Sequence, residues 1–270
     1  MKFSICNEIF QDRPLPDAMT FVAHTGYDAI EIAPFTLARN VTEVSAAVRQ
    51  QLNDSARRAG LAVSAIHWVL AQTDGLHVIH PDIAIRARTG AYFRALVDFC
   101  ADLGGGFMVV GSPKQRSRPP GITPEQGASW AAAVFRDAVK QAEDRGVTIC
   151  IEPLSLAETN FINTAAEAVQ LTQQVDSPRF KVILDVKAMC SEAGPVPQII
   201  RATWPHFAYF HANDRNLKGP GFGDVDFVPI AAALKDVGYD GYVSVEVFNF
   251  DEGAEAIATR SLEYLRRCFA

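Results

Sequence analysis

The sequence predicts an α/β fold, a single (β/α)8 TIM barrel in which eight parallel strands form the barrel and helices pack outside it. Short apolar runs without polar breaks recur along the chain, as at residues 147–151 (VTICI). Such runs are typical of parallel strands buried on both faces. Each run is followed by a longer amphipathic segment, and the repeat is on the order of 30 residues, as βαβ units require. Eight such units are expected to close into a barrel.

The predicted strands are 3–6, 29–33, 62–67, 106–111, 147–152, 181–185, 207–211 and 242–247. The predicted helices are 15–25, 41–59, 84–103, 124–145, 164–175, 195–203, 227–237 and 254–268. The first four helices are each followed by a glycine, a typical C-cap, at Gly26, Gly60, Gly104 and Gly146. An open doubly wound sheet is the competing fold, but no GxGxxG motif follows the first strand. No linker or low-complexity segment interrupts the pattern, so residues 1–270 are predicted to form one domain.

Composition narrows the function classes. The formal net charge of −6 is poorly suited to binding nucleic acid or an anionic membrane surface. The five cysteines form no CxxC pair and are expected to be buried free thiols in a reducing cytoplasm. The chain opens on a strand rather than on a secretion signal, and no apolar stretch reaches the roughly 18 residues of a membrane helix. A cytoplasmic location is therefore expected.

Polar residues stand at the ends of the predicted strands, where (β/α)8 barrels carry their chemistry. These residues are Glu31, the pair His67-Trp68, Glu152, Asp185, His211 and Glu246. A charged group that ends a buried run is costly unless it is paired, metal-bound or facing water. The last four form a set of three carboxylates and one imidazole, which suits Mn²⁺, Mg²⁺, Co²⁺ or Zn²⁺. We therefore predict one divalent metal there, and salt bridges at the barrel mouth are the alternative.

Four motifs in the second half of the chain carry a family resemblance. They are EPL at 152–154 with Glu158 and NTAAE at 163–167, ILD at 183–185, His211 with Asp214 and PGFG at 220–223, and VEVF at 245–248. They resemble motifs of the xylose isomerase-like TIM-barrel superfamily of sugar isomerases and epimerases, and those of the ketose 3-epimerases most closely. The resemblance implies that Glu152, Asp185, His211 and Glu246 are the metal ligands, with Mn²⁺ preferred. It also implies that Glu152 and Glu246 are the acid–base pair.

Two positions depart from the ketose 3-epimerase pattern. Ala188, next to Lys187, stands where those enzymes have a histidine, and Leu217 stands where they have an arginine. The metal frame is thus expected to be kept while the contacts to substrate differ. Lys187 either replaces the missing histidine or pairs with a neighbouring carboxylate. The predicted substrate-binding residues are Glu158, Lys187, Asp214, Arg215, His67, Trp68 and Lys114, the last from a basic loop that either binds an anion or is solvated.

This frame supports removal of a proton next to a carbonyl, because a metal stabilises the enolate and two carboxylates transfer the proton. The leading hypothesis is a metal-dependent sugar epimerase or isomerase acting on a small carbohydrate. The alternative is a lyase or dehydratase acting on a keto-sugar, keto-glycoside or inosose. A nuclease of the endonuclease IV type is disfavoured, since only His67 and His211 end predicted strands and the chain is acidic. A non-catalytic sugar-binding role stays open, as does a homo-oligomeric state.

Overall fold

The eight strands of the protein hydrogen-bond in chain order into a closed parallel barrel, in a computed structural model that describes residues 1–270. Closure comes from β1, which pairs in parallel with both β2 and β8. The strands are β1 (Lys2–Cys6), β2 (Ala29–Ile32), β3 (Ala62–Ile66), β4 (Phe107–Val110), β5 (Thr148–Ile151), β6 (Phe180–Asp185), β7 (Phe207–Ala212) and β8 (Tyr242–Val245). The predicted (β/α)8 barrel is therefore confirmed.

Nine α-helices accompany the strands. They are α1 (Leu15–Thr25), α2 (Ala46–Arg58), α3 (Ile83–Asp102), α4 (Pro124–Arg145), α5 (Ala165–Val175), α6 (Val186–Met189), α7 (Val196–Thr203), α8 (Phe227–Asp236) and α9 (Ala254–Cys268). The helix predicted at 41–59 was wrong in its first turn: a 3-10 turn (Val41–Glu43) precedes α2, because Ser45 accepts a hydrogen bond from the Val48 amide and starts the helix there. Helix α6 was not predicted, since four residues give no periodic pattern.

Most of the apolar core lies between the barrel and its helices, in one cluster of 67 buried residues. A second, smaller cluster fills the barrel interior and takes one residue from each of five neighbouring strands: Ala65, Val109, Cys150, Ile183 and Tyr209. Side chains two positions apart in a strand share a face. The next inward positions toward the C-terminal ends of these strands are therefore His67, Gly111, Glu152, Asp185 and His211.

The cysteine prediction holds only in part. All five thiols are free, and Cys6, Cys100 and Cys150 are buried. Cys190, directly after α6, is exposed, and Cys268, the last residue of α9, is partly exposed. None of the helices combines the length and the apolar character that crossing a membrane requires.

Candidate metal centre and active site

The four predicted metal ligands converge at the C-terminal mouth of the barrel. One ligand atom each from Glu152, Asp185, His211 and Glu246 lies within 4.8 Å of the others. All four residues are at most 5% exposed. Ligand atoms on opposite sides of a small divalent cation stand about 4 Å apart, twice a bond length of about 2.0–2.2 Å. The spacing thus fits a single coordination shell.

Two buried atoms of this cluster support the fit to a cation. His211 Nδ1 and Glu246 Oε2 are 3.1 Å apart, but neither atom makes a hydrogen bond of good geometry to any protein group. Buried polar atoms are nearly always satisfied in folded proteins, so an exception calls for an explanation. A metal ion bound by both atoms would satisfy them, and the three carboxylates around it match the oxygen-rich donor set that Mn²⁺ and Mg²⁺ prefer.

The electrostatics of the cluster show an excess of negative charge. Burial, together with Glu246 and Asp185, raises the pKa of Glu152 to about 8. Burial and the nearby Glu246 also raise the pKa of Asp185, to about 6. Burial lowers the pKa of His211, but Glu246 and Glu31 outweigh it and raise that pKa well above its ordinary value. Each of these shifts favours the protonated form of its group, and a bound cation would offset the same excess of negative charge.

A carboxylate that the sequence had placed only at a strand end orients the histidine. His211 Nε2 lies 3.1 Å from Glu31 Oε1 and 3.2 Å from Glu31 Oε2, and the Tyr209 hydroxyl donates to Glu31 Oε2 at 2.9 Å. When His211 Nε2–H donates to Glu31, Nδ1 keeps its lone pair toward the cluster. This is the arrangement by which a second carboxylate fixes the tautomer of a metal-binding histidine.

Asp185 is held by the short helix that follows it. Its Oδ1 accepts a 2.7 Å hydrogen bond from the Ala188 amide and so caps α6, while its Oδ2 accepts from the Asn213 side chain. Asn213 Oδ1 in turn accepts from the Lys187 amide at 2.8 Å. The residue that replaces the histidine of the ketose 3-epimerase pattern, Ala188, therefore supports Asp185 through its backbone.

Gly111 leaves the space that Glu152 occupies. A Cβ built on Gly111 would lie 1.8 Å from Glu152 Oε2 and 3.0 Å from its Cδ. Both residues take inward positions on the adjacent strands β4 and β5, which pair in register from Phe107 to Val110. Only glycine at position 111 is compatible with the observed place of the Glu152 carboxylate.

A small inner cavity opens above the cluster. Its walls include His67, Trp68, Glu152, Lys187, Glu246 and Phe248. Lys187 Nζ donates to Glu158 Oε1 at 2.7 Å and lies 4.1 Å from the centre of the Phe248 ring. The structure therefore shows Lys187 paired with a neighbouring carboxylate, one of the two roles predicted for it. Glu158 also lines the cavity, so both members of the ion pair face this space.

His67 forms the wall beside the cluster. Its Nε2 lies 2.9 Å from Glu8 Oε2, and its Nδ1 lies 3.5 Å from Glu31 Oε1. Burial lowers the pKa of His67, but Glu8 and Glu31 outweigh it and raise that pKa to about 9. His67 is therefore a positively charged ring between two carboxylates, at the edge of the cavity.

Three of the predicted substrate contacts do not line the inner cavity. Asp214 is buried and accepts from the Val225 amide at 2.9 Å, so it organises the loop after β7. Arg215 is exposed on the same loop and lines no wall of the cavity. Neither residue lines the inner cavity, and their predicted contacts to substrate stay predictions. Lys114, also exposed, lines a separate, outer space instead.

Two functional candidates were missed by the sequence reasoning. Glu8 lies two residues after β1, in a 3-10 turn (Asn7–Phe10), and therefore not at a strand end. Arg116 is 1% exposed, and its Nε and Nη2 have no hydrogen-bond partner. Burial lowers the pKa of Arg116 to about 10, against the opposing effect of Glu152 and Glu158. Arg116 belongs to a basic loop, and the sequence does not reveal that this one side chain of the loop is buried near Glu152 and Glu158.

Comparisons with known proteins agree with this architecture. The model of the family described as xylose isomerase-like TIM barrel matches residues 19–268. The chain belongs to this family. Its relatives include the D-psicose 3-epimerase of Agrobacterium fabrum, which is 30% identical over 233 residues, covering 84% of this chain and 77% of the relative.

Two further sugar epimerases match this chain over nearly its whole length. The 3-dehydro-D-guloside 4-epimerase of Escherichia coli is 24% identical over 275 residues, and the match covers 99% of this chain and 100% of that protein. The second is the D-psicose 3-epimerase of Clostridium cellulolyticum H10, whose crystal structure with D-tagatose matches this one with a TM-score of 0.88. The two sequences are 25% identical, and the match covers 100% of this chain and 99% of that one. These relatives are sugar epimerases that differ in the carbon they act on.

Proposed function

We propose that this chain is a sugar epimerase that works on a keto-sugar, with one divalent cation held by Glu152, Asp185, His211 and Glu246. The observation that carries the proposal is the position of Glu152 and Glu246: both belong to the four-residue cluster, and both line the inner cavity. Mn²⁺ is the proposed ion, since three of the four ligands are carboxylates. Residues 1–270 are proposed to act as one domain, because β1 and β8 come from opposite ends of the chain and pair.

The proposed reaction is removal and return of a proton on a carbon next to a carbonyl. A cation in the cluster would stabilise the negative charge that develops on the carbonyl oxygen. Glu152 and Glu246 divide the proton transfer: one carboxylate accepts the proton from the carbon, and the other, in its protonated form, donates a proton to the opposite face. The configuration of that carbon is thereby inverted.

The remaining walls of the inner cavity would hold the substrate in place. Glu158 accepts hydrogen bonds from substrate hydroxyls, and Lys187 donates to a substrate oxygen while its ammonium lies over the Phe248 ring. His67, held between Glu8 and Glu31, supplies positive charge on the other side. Relatives that epimerise carbon 3 and a relative that epimerises carbon 4 support the reaction class, which both types share.

Exchange of the substrate proton with solvent tests this proposal. In D2O with Mn²⁺ and a 3-keto-glucoside, we expect NMR to detect deuterium entering one carbon as the epimer forms. Glu152→Gln and Glu246→Gln should each lower the exchange rate by at least about 100-fold, since general acid–base catalysis contributes about 10²–10⁴-fold. Glu263→Gln, an exposed carboxylate on α9, is the matched control and should exchange at the wild-type rate.

Two results would contradict the proposal. Exchange at the wild-type rate in both glutamine variants would show that Glu152 and Glu246 are not the acid–base pair. An increasing absorbance of an unsaturated carbonyl, without formation of an epimer, would show that the site catalyses elimination and not epimerisation.

A further inference from the structure

An outer chamber adjoins the inner cavity at the mouth of the barrel. Its walls come from the segments that follow β8, β1, β2, β3 and β4, and three of its residues, Trp68, Pro113 and Phe248, also line the inner cavity. The Trp68 and Phe248 rings meet edge to face, with their centres 6.3 Å apart. These shared walls make the two spaces neighbouring parts of one site.

The two spaces differ greatly in size. The inner cavity has a volume of about 20 Å³, whereas the outer chamber has about 430 Å³. A volume near 20 Å³ holds about one water molecule, while ligand sites commonly have about 300–1,000 Å³. Only the reacting end of a substrate can therefore approach Glu152 and Glu246, and the larger part of a bound molecule has its room in the outer chamber.

The lining of the outer chamber suits a ring. Phe35, Trp68, Phe248 and Phe250 bring four aromatic side chains to it, and Phe250 is 41% exposed to solvent. Gln11, Gln72 and Gln115 add amide groups that can both donate and accept hydrogen bonds. Flat apolar faces combined with a few amides are what a sugar or aryl ring, apolar on its faces and polar at its edge, would contact.

The charge of the outer chamber argues for a neutral occupant. Its lining contains one carboxylate, Glu8, and one ammonium, Lys114. The Glu8 carboxylate is already 2.9 Å from His67, which leaves Lys114 as a single exposed cation at the edge. Recognition of a phosphate or carboxylate commonly uses paired or bidentate cations, and the chamber offers no such pair.

The backbone of the wall after β3 is held in an uncommon conformation. Trp68 has φ of 52° and Gln72 has φ of 60°, in the left-handed region that residues other than glycine seldom adopt. Both residues line the outer chamber. Backbone held in such a conformation by its surroundings is frequent where side chains are aimed at a ligand.

We infer that the outer chamber is an aglycone site, so that the preferred substrate is a keto-glycoside. Its reacting carbons reach the inner cavity, while the rest of its keto-sugar and a neutral, ring-shaped substituent lie in the outer chamber. This inference rests on the proposed function. It separates this chain from an epimerase of free monosaccharides, whose substrates carry no substituent to fill the rest of the outer chamber.

Kinetics with matched substrates test the inference. The probes are methyl and phenyl 3-keto-β-D-glucoside, and the readout is the ratio of their KM values. For the wild-type holoenzyme we expect a KM about tenfold lower for the phenyl compound, which corresponds to about 1.4 kcal/mol and is within what one buried aromatic contact contributes. Phe250→Ala should reduce that ratio to about two or less. Val228→Ala, an apolar side chain 57% exposed on α8, is the control and should keep the wild-type ratio.

A binding measurement separates failure of the inference from failure of the proposed function. Saturation-transfer NMR with unoxidised methyl and phenyl β-D-glucoside needs no turnover. If neither keto-glucoside reacts, the proposed function fails, and stronger transfer to the phenyl ring than to the methyl group, reduced in Phe250→Ala, still supports the chamber. Equal KM values in the wild type, or a ratio unchanged by Phe250→Ala, would overturn it. A disaccharide carrying the same keto-sugar tells a sugar aglycone from an aryl one by which of the two has the lower KM.

Discussion

Replacing Gly111 by alanine should disable the proposed metal centre although no proposed ligand residue is substituted. The added Cβ would stand 1.8 Å from Glu152 Oε2, where real contacts of a Cβ stay beyond about 3 Å. The Glu152 carboxylate must therefore move by more than about 1 Å. A misplacement of about 1 Å can lower a catalysed rate by about 100-fold, which corresponds to about 2.7 kcal/mol of transition-state stabilisation.

The opposite end of the same strand provides the matched control. Gly106 directly precedes β4, and a Cβ built on it has no atom within 4 Å. Gly106→Ala should leave metal binding and activity unchanged, and should leave the free energy of unfolding the same or raise it by up to about 1 kcal/mol. The two variants therefore make the same chemical change at the two ends of one strand.

The assay is calorimetric titration of the metal-free proteins with Mn²⁺, followed by the rate of deuterium exchange. We expect the Kd for Mn²⁺ to rise at least about tenfold in Gly111→Ala and the exchange rate to fall about 100-fold. A Gly111→Ala protein that binds Mn²⁺ within about threefold of the wild type, and exchanges at the wild-type rate, would refute the assignment of Glu152.

Three further predictions follow from the same geometry. The pKa of Glu152 is raised to about 8 and that of Asp185 to about 6, so metal binding must displace protons. The affinity for Mn²⁺ should therefore rise from pH 6 to pH 8, by up to about tenfold per pH unit for each proton displaced, and competition titrations at several pH values measure this rise. Glu31→Gln should raise the Kd for Mn²⁺ by about 10–100-fold, because it weakens the bond that orients His211; an unchanged Kd in calorimetry would speak against that role. Asp214→Asn should lower the free energy of unfolding in urea by about 1–3 kcal/mol while KM changes less than about twofold, because Asp214 binds the backbone of its own loop. A large rise in KM with unchanged stability would instead support the contact between Asp214 and substrate that the sequence predicts.

The barrel was predictable because its strands are buried on both faces. Continuous apolar runs such as residues 147–151 mark such strands, and each of the eight lies within a residue or two of its predicted bounds. The convergence of Glu152, Asp185, His211 and Glu246 was predictable for the same reason, since the C-terminal ends of parallel strands meet at one mouth.

What could not be predicted depends on side-chain direction and on loops. Asp214 and Arg215 lie two and three residues after β7, in a loop where Asp214 accepts a hydrogen bond from the Val225 amide and Arg215 faces solvent. The role of Gly111 was hidden because the sequence does not reveal which neighbouring carboxylate approaches a glycine. Arg116 was hidden as well, because a basic loop gives no sign of which cation it buries.

The central claim is that the four-residue cluster holds one divalent cation, and elemental analysis tests it most directly. The protein should be purified without chelator beside Asp185→Asn, which retains the side-chain oxygen that caps α6 but removes a charge. We predict about one equivalent of a divalent metal per chain, Mn²⁺ foremost, in the wild type and a large loss of metal in the variant. No metal in either protein, even after soaking in Mn²⁺, would contradict the account.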